Sequence, residues 1–378
     1  MAIQLFVPAF RIDETLAEIR ECLEKGWTGL GFKTVELEGK WREYTGLPNA
    51  HFLNSATAGL DLAVRVLKMR RGWVDGDEVI SSPMTFVSTN HVILYNNMKP
   101  VFADVDEYLC LDPKSVAARI TPKTRAVMFV GIGGNVGRLR EMEKICADKK
   151  LALIIDAAHM SGTRWRDGTT PGAGSADAIV YSYQAVKNMP TADSGMVCFR
   201  DPADDDLVRK LSWLGINKDT YARSINAKAA YKWRYDVEHV GYKDNGNAVM
   251  AAIGLVSLRY LDRDNAYRRQ LAEWYDEGFG GVKNVMPVPH SPECSSSRHL
   301  YQIAVDNRDE LLMALNDVDI YPGVHYLDNT NYKMYSYAAG TCPNSHKASG
   351  RIMSLPMHIN LSKADVDYIV ENVRKYAK

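Results

Sequence analysis

Two periodicities alternate along the chain. Leu16, Ile19 and Leu23 recur at helical spacing behind an Asp-Glu start and predict a helix from about Asp13 to Gly26, with a second over about Val35 to Tyr44. Short apolar runs bounded by turn residues follow: HFL before the small-residue turn NSATAG, then EVIS, PVFADVD, AVMFVGIG, LALII and IVY, with helical text between them, as over Pro113 to Ile120. This alternation predicts an α/β fold with a mostly parallel sheet flanked by helices. Past residue 200 the pattern changes. DPADDDLVRK reads as a solvated charged stretch, and 212–246 as a long irregular segment of the kind that is usually functional. Asn247 to Tyr275 then predicts one long helix, followed by a strand in HLYQIAV, a helix in RDELLMALN, a strand in IYPGVHY and a final amphipathic helix, together a smaller α+β domain.

The strand ends carry the candidate chemistry. Leu151 to Ile155 run straight into Asp156, which predicts a buried parallel strand with a carboxylate at its C-terminal end, where open α/β sheets bind ligands. A buried carboxylate needs a cationic partner to stay ionised, and a protonated pyridine nitrogen is one; the alternative is a helix cap before Ala157 and Ala158. Lys187 stands five residues after Ser182, at the end of another apolar run. An amine there, with its pKa lowered, suits a Schiff base with an aldehyde cofactor, although most lysines are simply solvated. Ser55-Ala56-Thr57 follows a strand and opens a helix, so its N–H groups and the helix dipole suit a phosphate as well as an ordinary cap. GIGGNVG invites a dinucleotide-binding reading, but Val136 stands where the third glycine is required.

Composition narrows the classes. A chain of 378 residues at about 150 per domain suggests two domains. The 46 basic residues equal the 46 acidic ones, so no global basic field points to nucleic acid or a membrane surface. Six cysteines lack CxxC or metal-type spacing, which fits reduced thiols in a cytoplasmic protein, with no disulfide and no metal site. Neither a signal peptide nor a membrane span is indicated.

Asp156, the YSYQAVK segment and NSATAG, with GWTGLGF, DGDEVISSPMTFVST, PVFADVD, ITPKTRAV, GVHY and RIMSLPMH in order, resemble the fold type I pyridoxal phosphate (PLP) enzymes, specifically the DegT family of sugar aminotransferases. The resemblance covers nearly the whole chain. It implies a large domain over 1–245, built on a mostly parallel seven-stranded sheet, and a small C-terminal domain over 246–378. It implies Lys187 as the Schiff-base lysine and Asp156 as partner of the ring nitrogen. The backbone of Ser55, Ala56 and Thr57 and the Ser182 hydroxyl would hold the phosphate, Phe86 would stack on the ring, and His159 would lie near the phenolic oxygen. Lys243, in GYKDN, would reach across a homodimer interface to the neighbouring phosphate. Four positions depart from the family text: Ala56 for glycine, Gly131 for histidine, Ala192-Asp193-Ser194-Gly195 for Gly-Glu-Gly-Gly, and Thr330 where a second histidine follows His325-Tyr326.

The activity implied is a two-stage transfer, from L-glutamate through pyridoxamine phosphate to a nucleotide-linked 4-keto or 3-keto deoxysugar, for a surface polysaccharide or glycoside. A cyclitol or small phosphorylated ketone as acceptor, glutamine as donor, and a non-catalytic binding protein on the same fold stay open. A dehydratase of the family replaces the lysine by histidine, and Lys187 argues against it.

Overall fold

The computed structural model describes residues 2–217 and 235–378. Its strands are β1 (Ile3–Gln4), β2 (His51–Leu53), β3 (Glu78–Ser81), β4 (Lys99–Phe102), β5 (Thr124–Val130), β6 (Ala152–Asp156), β7 (Arg164–Trp165), β8 (Ala178–Ser182), β9 (Gly195–Phe199), β10 (Met286–Pro287), β11 (Cys294–Ser295), β12 (Tyr301–Ala304), β13 (Ile320–Tyr321) and β14 (Ile352–Leu355). Seven of them pair in the order β2-β9-β8-β6-β5-β3-β4, parallel throughout except that β9 opposes both its neighbours. The expected parallel sheet is therefore present. Its central runs are apolar on both faces because both are covered: Trp41, Phe129, Tyr181 and Tyr183 pack on one side, and Leu60, Val64, Leu67 and Phe199 on the other.

Register fixes where the strands end. Asp156 pairs with Val130 on one side and Val180 on the other, and Gly195 lies between Leu53 and Ser182. The ends of β2, β6 and β8 thus come out at one edge of the sheet, beside the turns after β3 and β5.

The helix Ala248–Phe279 is capped by Asn247, whose side chain accepts from the Met250 N–H. Its later turns join β12, β14 and the helix Lys363–Tyr376 in a separate apolar cluster that includes Leu271, Tyr275, Ile303, Leu355 and Ile369. β10, β12 and β14 form a three-stranded antiparallel sheet there, and β1, from the other end of the chain, pairs with β13.

Two sequence expectations need correction. DPADDDLVRK is not merely solvated: Pro202–Ser212 is a helix capped by Asp201. Its acidic first turn suits the helix dipole, Leu207, Val208 and Leu211 are buried, and Asp204 and Asp205 are paired with Arg70 and Arg209. IYPGVHY yields only the two-residue β13, since Pro322 has no N–H to extend a ladder, and beyond it Gly323 makes a single bridge to Ser354 of β14. Of the irregular segment, 218–234 lies outside the described residues. All six cysteines are buried free thiols. Among the described residues no helix is long and apolar enough to cross a membrane.

Candidate active site

Asp156 sits at the buried end of β6, and neutral donors hold both its oxygens. The Thr89 hydroxyl donates to Oδ2 at 2.7 Å and the Ala158 N–H to Oδ1 at 3.1 Å. The local turn and the site reading therefore coexist, and no helix follows. Burial raises the Asp156 pKa, opposed by those two donors and by Lys187. Among the described residues it has no ion pair, so a carboxyl already prepared to accept hydrogen bonds is left for a cation carrying an N–H.

Lys187 is partly buried on the turn after β8. Desolvation lowers its pKa to about 8, against the pull of Asp156. Three imidazoles lie within its field. Burial holds His159 and His299 well below the usual histidine range and brings His325 to about 4, the Lys187 charge adding to each shift. All three are neutral at pH 7. His159 Nδ1 accepts from the Gly133 N–H at 3.1 Å, and its Nε2 lies 3.2 Å from the Tyr326 hydroxyl. His159 thus anchors the loop after β5, and Tyr326 joins it from the C-terminal part.

The helix Ala56–Arg71 begins at the same edge. Its cap, Ser55, accepts from the Ala58 N–H at 3.1 Å, leaving the N–H groups of Ala56 and Thr57 without an acceptor among the described residues. Gly195 permits this closeness: a Cβ there would lie 2.6 Å from Ala56 N and 2.7 Å from the Ser55 carbonyl carbon. Ser182, paired with Gly195, brings its hydroxyl to the same corner. Free N–H groups at a helix start with an adjacent hydroxyl form a natural anion seat.

Phe86 precedes the helix Val87–Tyr95 and is 57% exposed, its ring 6.1 Å from that of Tyr326. An aromatic face left open beside Tyr326 suits stacking with a flat ring. Lys243 is not drawn into this cluster: its ammonium lies over the Trp213 ring, 3.1 Å from the centroid, while its carbonyl accepts from Asn54 beside Ser55. The segment borders the anion seat, but its charge rests on its own chain.

The departures from the family text have local causes. A Cβ at Gly131 would lie 2.1 Å from Met160 Sδ, so Met160 fills the space a side chain would need. Thr330 is buried and donates to Asp328 Oδ1 at 2.7 Å, serving its own turn. Thr89, Asn188 and His299 escaped the sequence reading because they act through partners distant in sequence; a Thr three residues beyond Phe86, on the helical face turned to the strand ends, was the available signal for Thr89. Two larger cavities, each about 650 Å³, lie away from Lys187 and contain none of these residues.

A family profile described as the DegT/DnrJ/EryC1/StrS aminotransferase family matches residues 11–374. The chain is similar to SpsC of Bacillus subtilis (strain 168), named a spore coat polysaccharide biosynthesis protein, at 34% identity over 97% of this chain and 95% of that one. Its fold is similar to that of Spr1654 from Streptococcus pneumoniae, solved in PLP and PMP forms; the PMP form aligns with a TM-score of 0.90 and 28% identity over 98% of both chains. It is also similar to the sugar aminotransferase CalS13 from Micromonospora echinospora, with a TM-score of 0.88 and 28% identity over 99% of both chains.

Proposed function

The chain belongs to the DegT/DnrJ/EryC1/StrS aminotransferase family, a PLP-dependent family, and from that premise we propose that it moves the amino group of L-glutamate to a keto-sugar, a nucleotide-linked keto-deoxysugar used for a surface polysaccharide or glycoside. The observation that carries the reading is the shared edge of Lys187, Asp156 and the helix start at Ser55, with an amine whose pKa is about 8. These residues fit PLP. The phosphate would take the N–H groups of Ala56 and Thr57 and the Ser182 hydroxyl, the ring would lie against Phe86, and its nitrogen would meet Asp156.

When bound, the cofactor supplies the carbonyl that carries the amino group and the ring that absorbs the electron pair left on carbon. The chain supplies the rest. Lys187 Nζ, a free base for part of the time at neutral pH, takes the proton from the donor's α-carbon and returns one to the acceptor's carbon. Asp156, kept ionisable by Thr89 and Ala158, accepts the hydrogen bond of a protonated ring nitrogen. His159, through its Nε2–H, and Tyr326, 3.2 Å from it, would lie on the side of the site facing the cofactor's phenolic oxygen. We assign 1–245 to the large cofactor-binding lobe and 246–378 to the small lobe, and a homodimer in which Lys243 would have to leave the Trp213 ring to reach the neighbouring phosphate.

The acceptor class is tested by incubating the enzyme with ¹⁵N-labelled L-glutamate and a panel of nucleotide 4-keto and 3-keto deoxysugars, a ketocyclitol and a small phosphorylated ketone, read by mass spectrometry. Label in a nucleotide sugar supports the reading. Label only in the cyclitol or the phosphorylated ketone overturns its acceptor half.

A further inference from the structure

Asn188 directly follows Lys187, is buried, and uses its whole amide. Its Nδ2 lies 2.7 Å from both Asn265 Oδ1 and the Ser297 carbonyl, and its Oδ1 lies 2.9 Å from His299 Nδ1. Asn265 in turn donates to the Ser161 carbonyl at 2.9 Å. The two carbonyls can only accept, and they fix the orientation of both amides. Asn188 therefore presents oxygen to His299, and His299 carries its proton on Nδ1.

The neighbouring imidazole has the opposite tautomer. The Gly133 N–H can only donate, so His159 Nδ1 is an acceptor and its proton is on Nε2, toward Tyr326. The two ring centroids lie 4.3 Å apart, and His299 also stacks on Phe6, at 5.3 Å and 7°. Ser297 Oγ also donates to the His159 carbonyl at 2.7 Å. One buried network thus joins the lysine turn, the long helix, the loop after β6 and the segment before β12.

We propose that Asn188 and His299 are a positioning pair: Asn188 locks the turn that aims Lys187 and holds His299 as a neutral Nδ1–H ring, which in turn seats His159. The proposal rests on the reading of Lys187 above. Asp156 acts on the lysine electrostatically, the lysine's own field helps keep His159, His299 and His325 neutral, and Asp264, Arg268 and His358 line a small cavity together with Lys187. Loosening the turn would let the amine reach water and lose the desolvation that keeps its pKa low.

The test compares His299→Asn, whose amide N–H replaces Nδ1–H, with His299→Leu, which fills space but leaves Asn188 Oδ1 unpaired. Asn188→Ala is the third variant. For each, the Lys187 pKa in the cofactor-free protein is read from the pH dependence of its reaction with an amine reagent, followed by peptide mapping, beside PLP affinity and thermal melts. His299→Leu and Asn188→Ala are expected to raise the lysine pKa by about one unit and weaken PLP binding about tenfold, and His299→Asn to restore both. Equal melting losses in both His299 variants with the lysine pKa unmoved would reduce the pair to a structural role and overturn the proposal. Failure of the underlying reading looks different: Lys187→Ala would then bind PLP as the wild type does and show the same spectrum.

Discussion

Thr89→Val probes the support of Asp156 with little change of shape. The substitution removes the 2.7 Å O–H donor to Oδ2 in a fully buried setting and leaves the Ala158 N–H on Oδ1. A hydrogen bond to a charged group is worth about 1.5–3 kcal/mol, which is roughly one to two pKa units. Burial already raises the Asp156 pKa, so the variant raises it further. The sign follows. A carboxyl whose folded pKa lies above its unfolded value costs stability once pH rises through the folded pKa, because the unfolded chain has already released its proton. The variant should therefore lose little stability where Asp156 is protonated in both proteins and more as pH rises. A carboxyl that holds its proton also supports a cationic ring nitrogen poorly, so kcat/KM should fall about 10–100-fold. Thr89→Ser keeps the hydroxyl and should stay near wild type. The assays are denaturant melts of the cofactor-free protein across pH and steady-state kinetics. A stability loss flat with pH, with turnover within about twofold of wild type, would refute the reasoning.

Gly195→Ala should abolish tight PLP binding while the chain still folds, because the added Cβ, 2.6 Å from Ala56 N, pushes β9 away from the helix start; equilibrium binding beside a circular dichroism spectrum checks both halves. Lys187→Met should stabilise the cofactor-free protein at pH 7. The folded lysine releases its proton near pH 8 and the unfolded one near 10.5, so wild-type stability rises between those values and the variant's does not. The full shift corresponds to about 3 kcal/mol, and partial exposure reduces the expected gain to about 1–2 kcal/mol. Melts at pH 7 and pH 9.5 decide it, and a variant less stable than wild type at pH 7 contradicts the assignment of a desolvated amine.

Much of the site was legible because its parts sit at strand ends. LALII running into Asp156 announces a buried strand and its terminal carboxylate, and β6 ends there. Ser55 was legible as the start of a helix because capping chemistry is local. What escaped was set by tertiary packing. Thr89 meets Asp156 across 67 positions and His299 meets Asn188 across 111, separations that no local pattern encodes. The acidic run at 204–206 misled for a related reason: an acidic first turn after Asp201-Pro202 is also a helix start, and the partner that buries Asp204, Arg70, lies far off in the chain, while Arg209 meets Asp205 only once the helix has formed. At Gly131 the sequence showed the departure, and only the packing of Met160 explains it.

The central claim, an amine at residue 187 that carries PLP and exchanges it for an amino group, is tested most directly by the absorption spectrum of the purified protein with and without L-glutamate, beside Lys187→Ala. We expect a band at about 410–430 nm that gives way to one at about 330 nm on adding glutamate, and no such band in the variant, which lacks the lysine. A wild-type protein that shows no visible band after incubation with PLP would contradict the account.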